Sequence, residues 1–150
     1  MTWIYKYLKE DELLQLKAEI ANVEDITSGE IRLSIREKRR FWEKLYQPYE
    51  LAVKDFEKLG ITYTKDKTGI LIFIILNERY YNILADEGIN AKIPEHVWID
   101  MEEKLKEEFR NSNYFAGIMH LIDKMGGILI NEFPKSSDDV NELPDEIVIN

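Results

Sequence analysis

Four stretches of the chain repeat apolar residues every three or four positions, the spacing of helices that bury one face. The first runs from Asp11 to about Asp25 and carries Leu13, Leu16, Ile20 and Val23. The second has its regular part from Pro48, with Ala52, Val53, Phe56 and Leu59 as its face and Gly60 closing it. Trp98, Met101, Leu105 and Phe109 stripe the third; Ile118, Ile122, Met125 and Leu129 stripe the fourth, with "NSNY" between them.

Other stretches follow a shorter period. "IRLSI" alternates Ile31, Leu33 and Ile35 with Arg32 and Ser34, which predicts a strand with one buried face and allows it an edge position. "ILIFIIL" is an unbroken β-prone run and predicts a central strand covered on both faces. Asn77, Glu78 and Arg79 make a short polar link, so "RYYNILA" is expected to fold back antiparallel as a third strand. The order α-β-α-β-β-α-α makes the first two strands parallel through a right-handed crossover. It predicts an α/β fold, a three-layer α/β/α sandwich on a small mixed sheet. One domain is expected over residues 1–134, followed by an acidic tail, 135–150. The apolar "IVI" near the end of that tail suits addition to a sheet edge, and folding back on its own domain is the simpler arrangement.

That topology decides where the loops gather. "TSGE" enters the first strand, "TYTKDKTG" enters the second, and "DEGIN" leaves the third, so all three belong to one end of the sheet. Glu30, Asp66, Asp86 and Glu87 meet there, Glu95 lies a little beyond, and Lys65, Lys67 and Lys92 add positive charge. Oxygen ligands from separate loops are what Ca²⁺ or Mg²⁺ requires, and a metal so held polarises a phosphoryl oxygen. A plainer reading stands beside this one. Asp86 caps a short "EGINAKI" turn, and glycines 29, 69 and 88 serve turns that need positive φ.

Composition narrows the classes. With 150 residues, one core is the expectation, and a net charge of −9 argues against nucleic acid or anionic membrane as the main partner. No cysteine is present, which excludes disulfides, zinc–thiolate sites and thiol catalysis. The opening "MTWIYKYLKE" has no basic-then-apolar secretory pattern, and "ILIFIIL" is too short to span a bilayer. A cytoplasmic protein without membrane insertion, monomeric or weakly self-associating, is expected. "REKRR", with Phe41 and Trp42 beside it, has the residue types of a nucleic-acid or membrane patch, but in a chain this acidic a solvated approach to the second helix is the preferred reading. His96 and Asp100 lie four apart on a helix, but two ligands do not make a metal site, and His120 reads as a packed residue. Walker, nucleophile-elbow and dinucleotide motifs are all missing.

"TSGEIRLSI", "FEKLGITYTKDKTGILIFI", "YNILADEGINAKIPEHVW", "YFAGIMHLIDKMGGIL" and "FPKSSDDVNELPDEI" together resemble the TPM domain, a family named for a thylakoid-lumen phosphatase, a photosystem II repair factor and a modulator of a levamisole receptor. The resemblance runs from about Leu13 to the end, and the closing stretch is similar to a soluble bacterial branch. It implies an α/β/α sandwich, acid phosphatase activity in some members, and calcium held by carboxylates at one sheet end. This chain departs from the family at ligand positions. "MTWIYKYLKE" replaces an acidic opening, Lys67-Thr68-Gly69 replaces Asp-Asn-Gly, and Asn90 stands where a glutamate is usual. Two functions follow from these features. The favoured one is a non-catalytic binding or accessory module with an unidentified protein partner. The alternative is a calcium-dependent, phosphatase-like hydrolase using Asp66, Asp86, Glu87 and Glu95, with Lys65, Lys67 and Asn90 as polar groups.

Overall fold

Regular apolar spacing turns into packed elements in two units, one of Met1–Gly29 with Asn90–Val140 and one of Glu30–Ile89 with Asn141–Asn150. The structure, a computed structural model, describes residues 2–60, 67–135 and 147–150.

The first unit is helical, with α1 (Glu10–Ile26), α4 (Glu95–Arg110) and α5 (Tyr114–Glu132) as its long elements. Helix α5 packs on both α1 and α4. All four residues of its expected stripe are buried, as are Leu16, Ile20 and Val23 on α1 and Met101, Leu105 and Phe109 on α4. Small residues set the spacing: a Cβ on Gly126 would sit 2.8 Å from Cγ2 of Val23, and one on Gly117 would sit 3.0 Å from Cβ of Glu108. The opening stretch joins this core through a 3₁₀ turn, Thr2–Lys6, with Ile4 and Leu8 buried. Tyr114 makes T-shaped contacts with Tyr7 and Phe109 at 5.5 and 5.3 Å between ring centroids. The end of α5 is tied to the end of α1 where the Ser28 N–H donates to the Phe133 carbonyl at 2.8 Å.

The second unit holds a four-stranded mixed sheet in the order β3-β2-β1-β4. Strand β1 (Glu30–Arg36) runs parallel to β2 (Gly69–Ile75), and β3 (Tyr80–Ala85) turns back antiparallel on β2. Helix α2 (Pro48–Lys58) makes the crossover, with proline in its first turn and Gly60 at φ 72° just past its end. Helices with a small mixed sheet make this an α/β protein, the expected class. The fourth strand was not expected as such: β4 (Ile147–Ile149) is the "IVI" of the tail, parallel to β1 with Leu33 opposite Ile147. Strand β1 is therefore interior, not the edge its alternation allowed.

The alternation of β1 misleads for a second reason. All seven of its residues are buried, including Arg32, Ser34 and Arg36. Their face continues across the parallel register onto Leu71, Phe73 and Ile75, where Leu51 and Ala52 of α2 pack. A polar residue beneath a helix remains buried when the helix carries its partner. Glycine use also differs from expectation: among the described glycines only Gly60 takes positive φ. Gly29 instead makes room for the Leu129 side chain, 2.8 Å from where its Cβ would be.

Candidate functional site

At the end of the sheet where β1 and β2 begin, the Glu30 N–H donates to the Thr68 carbonyl at 3.1 Å, and the Asp86 N–H donates to the Gly69 carbonyl at 2.9 Å. The starts of two strands and the exit of the third are thereby laced together. Glu30 and Thr68 are buried there, and Lys67 is exposed in the left-handed conformation, at φ 57°. Asp86 is half-buried, and its Oδ1 accepts the Glu87 N–H at 2.8 Å while Oδ2 is buried without a hydrogen-bond partner among the described residues. Glu87 is exposed and opens α3 (Glu87–Asn90), a single turn closed by Asn90. Glu95 is exposed in the first turn of α4, within the helical unit. Lys65 and Asp66 lie outside the described residues.

A calcium site needs several oxygens converging on one point. Among the described residues no three Asp, Glu, His or Cys side chains are placed to hold a metal ion, so the described carboxylates do not fit one. Asp86 instead has one oxygen engaged in closing the turn that follows it.

The opposite end of the same sheet is more heavily charged inside. Arg36, the last residue of β1, donates from Nη1 to Asp55 Oδ2 at 2.7 Å and from Nη2 to Asp55 Oδ1 at 3.3 Å. Its Nε and Nη2 also reach Glu43 Oε2 at 3.2 and 3.1 Å. Ser34 Oγ donates to Asp55 Oδ2 at 2.7 Å, and the guanidinium lies 5.2 Å from the Phe73 ring centre. Burial alone would lower the Arg36 pKa, but hydrogen bonds and charge from Asp55 and Glu43 outweigh it and raise it. Burial would raise Glu43; the Arg40 N–H and the Arg36 guanidinium outweigh that and hold its carboxyl below the usual range.

"REKRR" is therefore only in part a solvated approach to a helix, with Lys38 and Arg40 exposed but Arg36 buried. Its first residue ends a strand inside the protein, and Arg39 Nε pairs with Glu78 at 2.8 Å. Because Glu43 and Asp55 stand seven and nineteen positions along from Arg36, no local period points to them. The available signal is an arginine in phase with Arg32 and Ser34, followed by a helix whose buried face includes an aspartate.

A cleft of about 50 Å³ adjoins this network at the carboxyl ends of β1 and β4, lined by Arg36, Asp55, Lys58, Leu59, Val148 and Asn150. The volume is far below the roughly 300 Å³ of ordinary small-molecule sites, and the two carboxylates already hold the guanidinium. The network thus works as a clamp joining β1, the 3₁₀ turn Phe41–Leu45 and α2.

The clamp orients that turn. Glu43 points inward, and its other oxygen accepts the Arg40 N–H at 2.9 Å. Its neighbours face outward: Phe41 is 91% exposed, Leu45 86%, Trp42 57%, and Tyr49 at the start of α2 55%. The Arg40 guanidinium lies 5.4 Å from the Trp42 ring centre, and Lys38 and Lys44 are exposed. Among the described residues of the sheet unit, Phe41, Trp42, Leu45 and Tyr49 are its exposed large hydrophobic side chains. In the helical unit, a cleft of about 180 Å³ is lined by Lys92, Ile93, Pro94, Val97, Ile128 and Asn131.

Helices and a small mixed sheet in this order define a known class. The TPM domain family matches residues 5–128, and the chain belongs to it. Among solved structures, the BA42 protein of the psychrophilic bacterium Bizionia argentinensis is 27% identical, with a TM-score of 0.86 over the whole of both chains. The N-terminal domain of a P. gingivalis protein is 15% identical with a TM-score of 0.64, covering 82% of this chain and 79% of that one. The N-terminal domain of the cg2496 protein of Corynebacterium glutamicum is 11% identical with a TM-score of 0.61, covering 87% and 78%. These two show likeness of fold alone. No curated protein matches the chain. No helix among the described residues is long and apolar enough to cross a membrane.

Proposed function

We propose that this TPM-domain protein is a non-catalytic binding or accessory module, and that it works through the surface of the turn between β1 and α2. One observation carries this reading. A buried ion network fixes a short turn so that its acidic residue faces inward while Phe41, Trp42 and Leu45 face solvent. Contiguous exposed apolar residues rimmed by charge mark contact sites, because exposing them has a cost that contact relieves.

A calcium-dependent, phosphatase-like hydrolase is the second reading, favoured by the Oδ2 of Asp86, which is buried without a hydrogen-bond partner among the described residues. Calcium titration followed by amide NMR, run beside an aryl-phosphate hydrolysis assay, separates the two. The binding-module reading expects no turnover and no site-localised shifts at millimolar calcium. Turnover lost in Asp86→Ala, with calcium shifts around residues 66 and 86, overturns it.

A further inference from the structure

The partner class of that surface can be taken further, on the reading that it is a contact site. Phe41 and Leu45 retain almost the exposure of an extended chain, so they form a convex tip rather than one wall of a groove. A protein partner would need a shaped pocket for such a tip, whereas a bilayer interface accepts it without one. The residue types agree: a Trp beside the tip suits the headgroup layer, and Phe and Leu suit the acyl boundary beneath it.

Charge around the tip agrees as well. Residues 38–45 contain four cations and one acid. The acid, Glu43, is buried against Arg36, and Arg39 pairs with Glu78. Lys38, Arg40 and Lys44 remain exposed beside the apolar tip. The chain as a whole carries −9, but charges more than about 8 Å from the contact are largely screened at physiological ionic strength, so the local patch governs docking.

We propose that the turn Phe41–Leu45 docks on the interface of a bilayer containing anionic lipid, with Phe41, Trp42 and Leu45 entering the headgroup layer and Lys38, Arg40 and Lys44 meeting lipid phosphate. The contact is peripheral and reversible, and inserts no spanning segment. It is distinct from the carboxylate loops at the opposite end of the sheet.

Co-sedimentation of the full chain with extruded vesicles tests it, using phosphatidylcholine alone and phosphatidylcholine mixed with phosphatidylglycerol. The wild type is expected to sediment with the mixed vesicles and poorly with phosphatidylcholine. Added salt weakens the association, and Phe41→Ser with Leu45→Ser lowers partitioning by at least about tenfold. Lys44→Glu lowers it on mixed vesicles only. Circular dichroism checks that these surface variants remain folded. Absence of wild-type binding to mixed vesicles overturns the proposal, as does binding that the double substitution leaves unchanged. A concentration-dependent dimer in sedimentation velocity that the double substitution abolishes also overturns it, in favour of a second copy as the occupant. Failure of lipid binding leaves the binding-module reading intact, because that reading falls to calcium-dependent turnover and not to this assay.

Discussion

Where β1 begins, Glu30, Asp86 and Glu87 stand at strand ends, and Asp86 accepts the N–H of the next residue to close a single helical turn. Where β1 stops, Arg36 draws Glu43 and Asp55 into one buried network that joins a strand, a turn and a helix. The first end is conspicuous in the sequence as a run of acids and glycines. The second hides in what reads as a surface charge run. The difference shows that the density of charged residues along the chain says little about how strongly each is held. Burial and the distance to a partner decide that, and both depend on contacts far along the sequence.

The sharpest way to break this contrast is to remove the arginine. Arg36→Ala leaves two carboxylates buried side by side without their cation, which should cost roughly 3–5 kcal/mol of folding stability. Urea unfolding at neutral pH measures it. A loss below about 1 kcal/mol would mean that the network relaxes outward and that the clamp is not what holds the turn. Replacing Arg36 by Met together with Glu43→Gln and Asp55→Leu should recover much of the loss, because an apolar filling needs no counter-charge.

Acid provides a second, smaller test through Glu43. Its carboxyl is held below the usual range in the folded state, so its contribution is full above the unfolded value of about 4.3 and is lost as pH falls through the lower folded value. Arg36 shifts upward, so its ionisation lies outside this window and leaves the sign unchanged. Glu43→Gln is expected to cost about 1–2 kcal/mol at neutral pH, since the amide keeps an acceptor for the Arg40 N–H but loses the ion pair. The gap between variant and wild type should narrow as the pH drops below 4, in urea midpoints followed by circular dichroism. A gap independent of pH would locate the effect in packing rather than charge.

Much of the fold was legible because its signals are local. The stripe Ile118, Ile122, Met125 and Leu129 can only be buried if it lies along a helix, and that is how α5 lies. Pro48 marked the start of α2, and three polar residues marked the hairpin between β2 and β3. Strand β1 was half legible. Its position follows from the alternation and its direction from the helical crossover, but Ser34 looks solvated until Asp55 on α2 is known to accept its hydrogen bond. The three-residue β4 is too short to assert itself as a strand and forms because β1 offers an open edge. Of the acidic candidates, Asp86 reads in the sequence both as a cap and as a ligand; the described structure shows its hydrogen bond to the turn and no cluster of three ligands.

Asp86→Ala then measures the other side of the contrast. Its carboxylate supports one turn of four residues through a single bond to the adjacent N–H, so the loss should be about 0.5–1 kcal/mol, well below that of Arg36→Ala. Thermal unfolding in the absence of calcium reads it directly. A cost comparable to that of Arg36→Ala would show that the loop end carries a network of its own and would remove the asymmetry between the two sheet ends.

The smallest effect is expected at the tip itself, where the contrast between held and presented residues is drawn within one turn. Phe41 and Leu45 flank Glu43 in sequence but are exposed, so Phe41→Ser with Leu45→Ser removes almost no packing. Their combined change in stability should stay within about 0.5 kcal/mol, and removing exposed apolar surface should also reduce aggregation on concentration. A loss above about 1 kcal/mol would mean that the two side chains pack against the domain in solution and are not available for contact. If stability is unchanged, the three neighbours divide by role: Glu43 holds the turn, and the residues on either side are available to touch something else.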